Sequence, residues 1–217
     1  MMKPSPLVLA IAAAAVAAGC ASTGRSRNLN DPAVAPRTIA EQVCSNCHGL
    51  DGNSVSPNFP RLAGQTSDYL KAQLTEFRSH DRADPAGFEY MWGLSRHLTD
   101  AQIQGLAAYF SSQRPSANAM APAPPAALVA TGHEIFTKGV PGASSPPCAT
   151  CHGPAAQGHG TFPRFAGQHE DYLVKQLMVF QKTNERPSGA VMKTVAHDLT
   201  ADNIRAVAAY LQSLPPG

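Results

Sequence analysis

The sequence predicts an all-α protein built as two tandem copies of one small helical unit, joined by a Pro/Ala-rich linker. Two observations predict the duplication. "FPRLAGQTSDYLKAQLTEF" (59–77) aligns without a gap on "FPRFAGQHEDYLVKQLMVF" (162–180), with twelve of nineteen positions identical. "MWGLSRHLTDAQIQGLAAYF" (91–110) aligns likewise on "MKTVAHDLTADNIRAVAAYL" (192–211). A repeat this long means two domains rather than a solenoid. The third observation is periodicity: apolar residues recur at helical spacing, and no stretch shows convincing strand alternation.

In chain order, "MMKPSPLVLAIAAAAVAAGCAS" opens with Lys3 ahead of an Ala-rich apolar run, too short for a spanning helix, and reads as a secretory signal over 1–19. "AAGC", ending at Cys20, resembles a bacterial lipoprotein signal in which that Cys becomes acylated; an ordinary cleavage site with an incidental Cys is the alternative. Residues 20–36 are polar and Pro-containing, as expected of a flexible tether. The first unit spans 37–114, the linker 115–127 and the second unit 128–217.

Each unit has one layout. A helix ("RTIAEQV" or "ALVATGHEIFTKG") leads to a C-x-x-C-H group, and a loop rich in Gly, Pro and Ser follows. A helix then carries Leu70, Leu74 and Phe77, matched by Leu173, Leu177 and Phe180. The last helix opens at Thr99 or Thr200 as N-cap and buries Ile103, Leu106, Ala107 and Phe110, or Ile204, Val207, Ala208 and Leu211. Units this small bury little core on their own.

A net charge of +2 without a basic stripe excludes a phosphate-neutralising nucleic-acid binder, and the apolar periodicity excludes a disordered chain. The five cysteines divide cleanly. Cys20 is accounted for by acylation, and Cys44, Cys47, Cys148 and Cys151 form "CSNCH" and "CATCH". Zinc would use four thiolates and leave His48 and His152 without purpose. A dithiol redox pair expects a βαβ setting that is not signalled here. Covalent attachment of haem c uses all five positions: two thiols bond the vinyl groups and the adjoining imidazole reaches the iron. Two haem c groups are therefore expected, and haem would supply apolar surface that the small units lack.

The second axial ligand decides whether an iron transfers electrons or binds small molecules. Met91 and Met192 are the candidates, matched in the repeat and expected in loops before the last helix. Thioether ligation favours ferrous iron and raises the potential. His197 is the alternative in the second unit. His80, His133, His159 and His169 have no counterparts and read as surface or locally bonded residues.

Two C-x-x-C-H groups, each followed by "FPR-x-AGQ", a Tyr-Leu pair, a Met and a closing "AAY" helix, resemble the dihaem cytochrome c4 family over nearly all of 37–215. The resemblance implies two class I cytochrome c domains about a pseudo-twofold axis, His/Met haems and electron-carrier activity. It makes His48 and His152 proximal ligands and Met91 and Met192 distal ones. It also makes the carbonyls of Pro60 and Pro163, twelve and eleven residues on, acceptors for the imidazole N–H. Arg61, Arg164, Tyr69 and Tyr172 become candidate partners of haem propionates. Implied partners are redox proteins: a respiratory complex, a terminal oxidase or a periplasmic dehydrogenase. The leader and Cys20 predict a periplasmic location on a lipid anchor, and this lipoprotein-like N-terminus departs from the family pattern. No catalytic acid/base pair is signalled. A dehydrogenase subunit and a dihaem enzyme, a peroxidase or a thiosulfate-oxidising protein, are the other readings. The long linker is a departure that argues against a tightly fixed interface between the units.

Overall fold

The computed structural model describes residues 28–117 and 120–216. The leader and Cys20 lie outside the described residues. All named elements are helical, and among the described residues the one β-bridge joins His159 to Phe162.

The first unit starts with α1 (Pro36–Ile39), which passes through a π-helical turn (Ala40–Cys44) directly into α2 (Ser45–His48). Helix α3 (Ser67–Ser79) follows, then a second π-helical turn (Gly87–Met91), α4 (Trp92–Ser95) and α5 (Asp100–Ser111). The second unit comprises α6 (Ala126–Lys138), α7 (Ala149–His152), α8 (Glu170–Lys182), a 3-10 turn (Pro187–Gly189), α9 (Ala190–Ala196) and α10 (Ala201–Ser213).

Capping fixes where the last helices begin. Thr99 and Thr200 each accept from the amide three residues on, and the side chains of Gln102 and Asn203 accept in return from the cap amides. Such a box satisfies two otherwise orphaned donors. From those starts the expected faces turn inward. Ile103, Leu106, Ala107 and Phe110 are buried with Ile39 and Leu70; in the second unit Val207, Ala208 and Leu211 are buried beside Phe136 and Leu173, and Ile204 beside Ala196 and Leu199.

Two expectations change. Residues 28–36 are not a free tether: Val34 is buried, and Gln102 Nε2 donates to the carbonyls of Asp31 and Val34. The polar composition concealed a short stretch whose backbone supplies acceptors to α5. The methionines do not lie in loops: Met91 ends a π-helical turn and Met192 sits within α9. Elements of five to seven residues are too short to show a period.

The units meet closely despite the linker. Gln65 accepts from Arg164 N (2.7 Å) and donates to Arg164 O (3.0 Å), while Gln168 accepts from Arg61 N (2.9 Å) and donates to Arg61 O (3.0 Å). These four buried bonds are related by the repeat, so the contact is isologous, the same patch used twice. His169, expected at the surface, is buried here and bonds Ser54 O through Nε2 at 3.0 Å. Its repeat partner Thr66 donates through Oγ1 to Gly160 O at 2.6 Å. Different side chains thus perform one bridging role in the two directions.

Candidate haem-attachment sites

In each unit the end of a helical segment gathers two thiols and one imidazole within five residues. Cys44, Cys47 and His48 occupy the π-helical turn and α2; Cys148, Cys151 and His152 occupy α7 and its N-cap. All four thiols are free of disulfides. Burial pushes the Cys44 thiol up to about 12 and the Cys148 thiol up to about 11. Zinc binding and disulfide exchange work through thiolates, which this environment opposes. A neutral thioether carries no such penalty.

The imidazoles are held the same way twice. His48 Nδ1 lies 2.9 Å from Pro60 O, and His152 Nδ1 lies 3.1 Å from Pro163 O. With Nδ1–H donating to a carbonyl, Nε2 is the nitrogen that can face a metal. Burial lowers both imidazole pKa values, and the carbonyl bonds oppose that fall only in part. The rings are therefore neutral near pH 7, as a metal ligand must be. Two free thiols beside a neutral, oriented imidazole fit covalent haem c.

Aromatic contacts complete the surroundings. The His48 ring meets Phe59 edge-on (6.2 Å), and Phe59 meets Tyr90, the neighbour of Met91 (6.3 Å). The His152 ring meets Phe162 edge-on (6.1 Å) and lies 4.4 Å from Phe165. Met91 and Met192, both half-buried, stand apart from the Cys-His turns on segments that pack against α3 and α8 respectively. Ser95 Oγ donates to Met91 O, tying the first methionine's turn to α4. His197 is exposed beside Asp198.

The arginines named from sequence are engaged elsewhere. Arg61 donates to Asn53 Oδ1 (2.8 Å) and to Ser116 O, and Arg164 donates to Ala166 O (3.1 Å) and Pro216 O. Each guanidinium thus pins the chain that follows its own unit's last helix. A second buried arginine pair lies at the interface, Arg82 and Arg186. Arg82 bonds Asp84, 2.7 Å between Nε and Oδ1. Arg186 Nη2 donates to Tyr69 OH of the other unit at 3.3 Å, and the half-buried Tyr172 stands among the same groups. Sequence reasoning missed both arginines because a one-residue insertion offsets them, five residues after Phe77 but six after Phe180.

Comparison with known proteins identifies the family. The cytochrome c family model matches residues 34–114 and again 129–215. The chain therefore belongs to the cytochrome c family, as a two-domain, dihaem member carrying two covalent haem c groups. Within it, the similarity is to cytochrome c4. The cytochrome c4 of Azotobacter vinelandii is 34% identical over 96% of this chain and 95% of its own. The crystal structure of cytochrome c4 from Pseudomonas stutzeri is 36% identical, with a TM-score of 0.73 over 85% of this chain and 98% of that one. A thiosulfate dehydrogenase structure from Marichromatium purpuratum is 34% identical, with a TM-score of 0.72 over 83% of this chain but 40% of that one. The chain is a dihaem electron-transfer cytochrome.

Proposed function

We propose that the chain carries electrons one at a time between periplasmic redox proteins and performs no catalysis of its own. Cys44 and Cys47 hold the first haem and Cys148 and Cys151 the second. His48 and His152 are the proximal ligands, and Met91 and Met192 the distal ones. When bound, each haem supplies a one-electron Fe(III)/Fe(II) couple. The protein's task is to keep each iron's surroundings unchanged through the cycle. Pro60 and Pro163 serve this by fixing ring orientation and strengthening imidazole donation. The observation that carries the reading is the His Nδ1–Pro carbonyl bond, formed at both C-x-x-C-H groups although the intervening loops differ by one residue.

The leader over 1–19 exports the chain, and acylation of Cys20 holds it at a membrane surface. The first cytochrome domain runs to residue 114, residues 115–127 link it to the second, and the second runs from 128. Partners are a respiratory complex, a terminal oxidase or a dehydrogenase, meeting the protein through small, transient contacts.

Absorption spectra of the oxidised and reduced protein, with a pyridine haemochrome count, test this reading. Two haems per chain and a full-intensity methionine-to-ferric-iron band are expected. High-spin iron, or ready binding of carbon monoxide, would transfer the case to a dihaem enzyme. The likeness to part of the thiosulfate dehydrogenase chain favours one second reading, a permanent subunit of a dehydrogenase. Co-purification with a catalytic partner at fixed stoichiometry would establish it.

A further inference from the structure

The two interface arginines share their ring and glutamine partners and differ in having a carboxylate. Arg82 lies over Phe77 and Arg186 over Phe180, each guanidinium 4.4 Å from its ring centroid. Each also donates to one glutamine of either unit. Arg82 reaches Gln73 Oε1 (2.6 Å) and Gln176 Oε1 (3.2 Å); Arg186 reaches Gln73 Oε1 (2.8 Å) and Gln176 Oε1. Arg82 Nε donates to Asp84 Oδ1 at 2.7 Å. Arg186 Nε is buried and has no acceptor among the described residues.

The sequence explains the mismatch. "RAD" follows the first register and "RPS" the second, so the exposed Ser188 stands where Asp84 stands in the first unit. The cluster around Gln73 and Gln176 consequently holds two guanidiniums and one carboxylate. Arg186 also lines a cavity of about 220 Å³ shared with Lys193, and no acidic side chain lines it. Buried charges are ordinarily paired, and an unpaired charged donor is costly. A missing carboxylate accounts for the bare Nε, the charge excess and the cation-lined cavity together.

We propose that Arg186 Nε holds a carboxylate that the polypeptide does not supply, a propionate of the haem attached at Cys148 and Cys151. This rests on the attachment proposed above. Arg186 lies six residues before Met192, the distal ligand proposed for the second haem, and a tethered carboxylate needs no capture from solution. A free small carboxylate has the same chemistry and is the other source to be tested. In the first unit Asp84 already occupies the corresponding nitrogen, so Arg82 is not offered to the first haem in this way.

The test uses the reduced, diamagnetic dihaem protein labelled with nitrogen-15. Arg82 and Arg186 Nε–H signals, assigned by their loss in Arg82→Lys and Arg186→Lys, should both exchange slowly, and neither should move with added acetate. A saturable shift of the Arg186 signal by acetate overturns the haem source in favour of a free anion. Fast solvent exchange at Arg186 with no response to acetate overturns the site.

Arg186→Gln supplies a second readout. Without its guanidinium the propionate ionises at higher pH, and its negative charge stabilises Fe(III). The second midpoint should then fall as pH rises from about 5 to 8, around the carboxylate-to-neutral range, while the first keeps its profile. A variant with two haems and an unchanged profile defeats the proposal and leaves the attachment intact. Fewer than two haems in the unmodified chain would remove the attachment itself.

Discussion

In the first unit the chain runs from α1 through a π-helical turn straight into Cys44; in the second, α6 is a full 13-residue helix and residues 139–147 intervene before Cys148. The close approach to the last helix differs accordingly. A Cβ on Gly132 of α6 would lie 1.9 Å from Ala206 O on α10, so only glycine lets those backbones meet. In the first unit the gap is on α5, where a Cβ at Gly105 would meet the Pro36 ring at 2.3 Å. The environment of the imidazole differs too: Phe165 lies against His152 at the repeat position of Leu62. The Cys-His-Pro frame is constant, then, while the packing around it is free to vary. Two centres with one chemistry can acquire separate potentials in this way, because burial and local polarity tune the iron.

The largest effect should come from removing one distal ligand at a time. Met91→Ala and Met192→Ala should each lower the midpoint of their own haem by on the order of 0.2 V, within the ~0.8 V range that axial ligands span. The other haem should hold its value. Spectroelectrochemistry would show this, and equal shifts of both midpoints in either variant would refute independent centres.

Asp84→Asn attacks the interface. Burial alone would raise the Asp84 carboxyl pKa, but Arg82 beside it brings the net value below the ordinary range. Its stabilisation is therefore complete above the unfolded pKa near 4 and is lost as pH falls through the lower folded value. Breaking the buried pair should cost about 3 kcal/mol at neutral pH. The variant should also lose less stability than the parent on acidification. Denaturant melts at several pH values measure both, and identical acid profiles would count against the ion pair.

Gly132→Ala should cost about 3 kcal/mol, because a backbone carbonyl is in the way; Gly105→Ala should cost about 1 kcal/mol, since a proline ring can shift. Thermal melts of the two variants compare them, and a reversed order would show that α1 is the more rigidly held.

The smallest effect concerns a turn that accepts two amides in both units. Gly52 has φ 77° and Ala156, its equivalent, φ 52°. Gly52→Ala should cost about 2 kcal/mol, because its Cβ would meet Ala63 N at 2.8 Å and Phe110 at 2.9 Å. Ala156→Gly should change stability by less than ~0.5 kcal/mol, relief of the left-handed strain being offset by a lost buried methyl and a freer unfolded chain. Symmetrical costs would mean the two turns are packed alike.

The helices, their buried faces and the threonine caps were legible because long periodic elements and cap chemistry are local properties of sequence. The C-x-x-C-H groups were legible because covalent attachment demands fixed spacing. Interface residues were harder. Arg82 and Arg186 are hidden by a shifted register, and His169 is hidden because its partner in the repeat is Thr66, a different residue type with the same task. Val34 was missed because a lone apolar residue in a polar stretch shows no period, and the carbonyl it offers Gln102 leaves no side-chain pattern.

The reciprocal glutamine contacts have a further consequence. Gln65 and Gln168 each read only the backbone amide and carbonyl of an arginine across the pseudo-axis, and every half of the contact is self-complementary. A surface of that kind joins two copies of a single unit as readily as it joins two halves of one chain. The segment after Arg114 therefore need not shape the assembly; it raises the effective concentration at which the two halves find each other. A chain cleaved between the units should stay paired as a heterodimer, with both cytochrome domains in place.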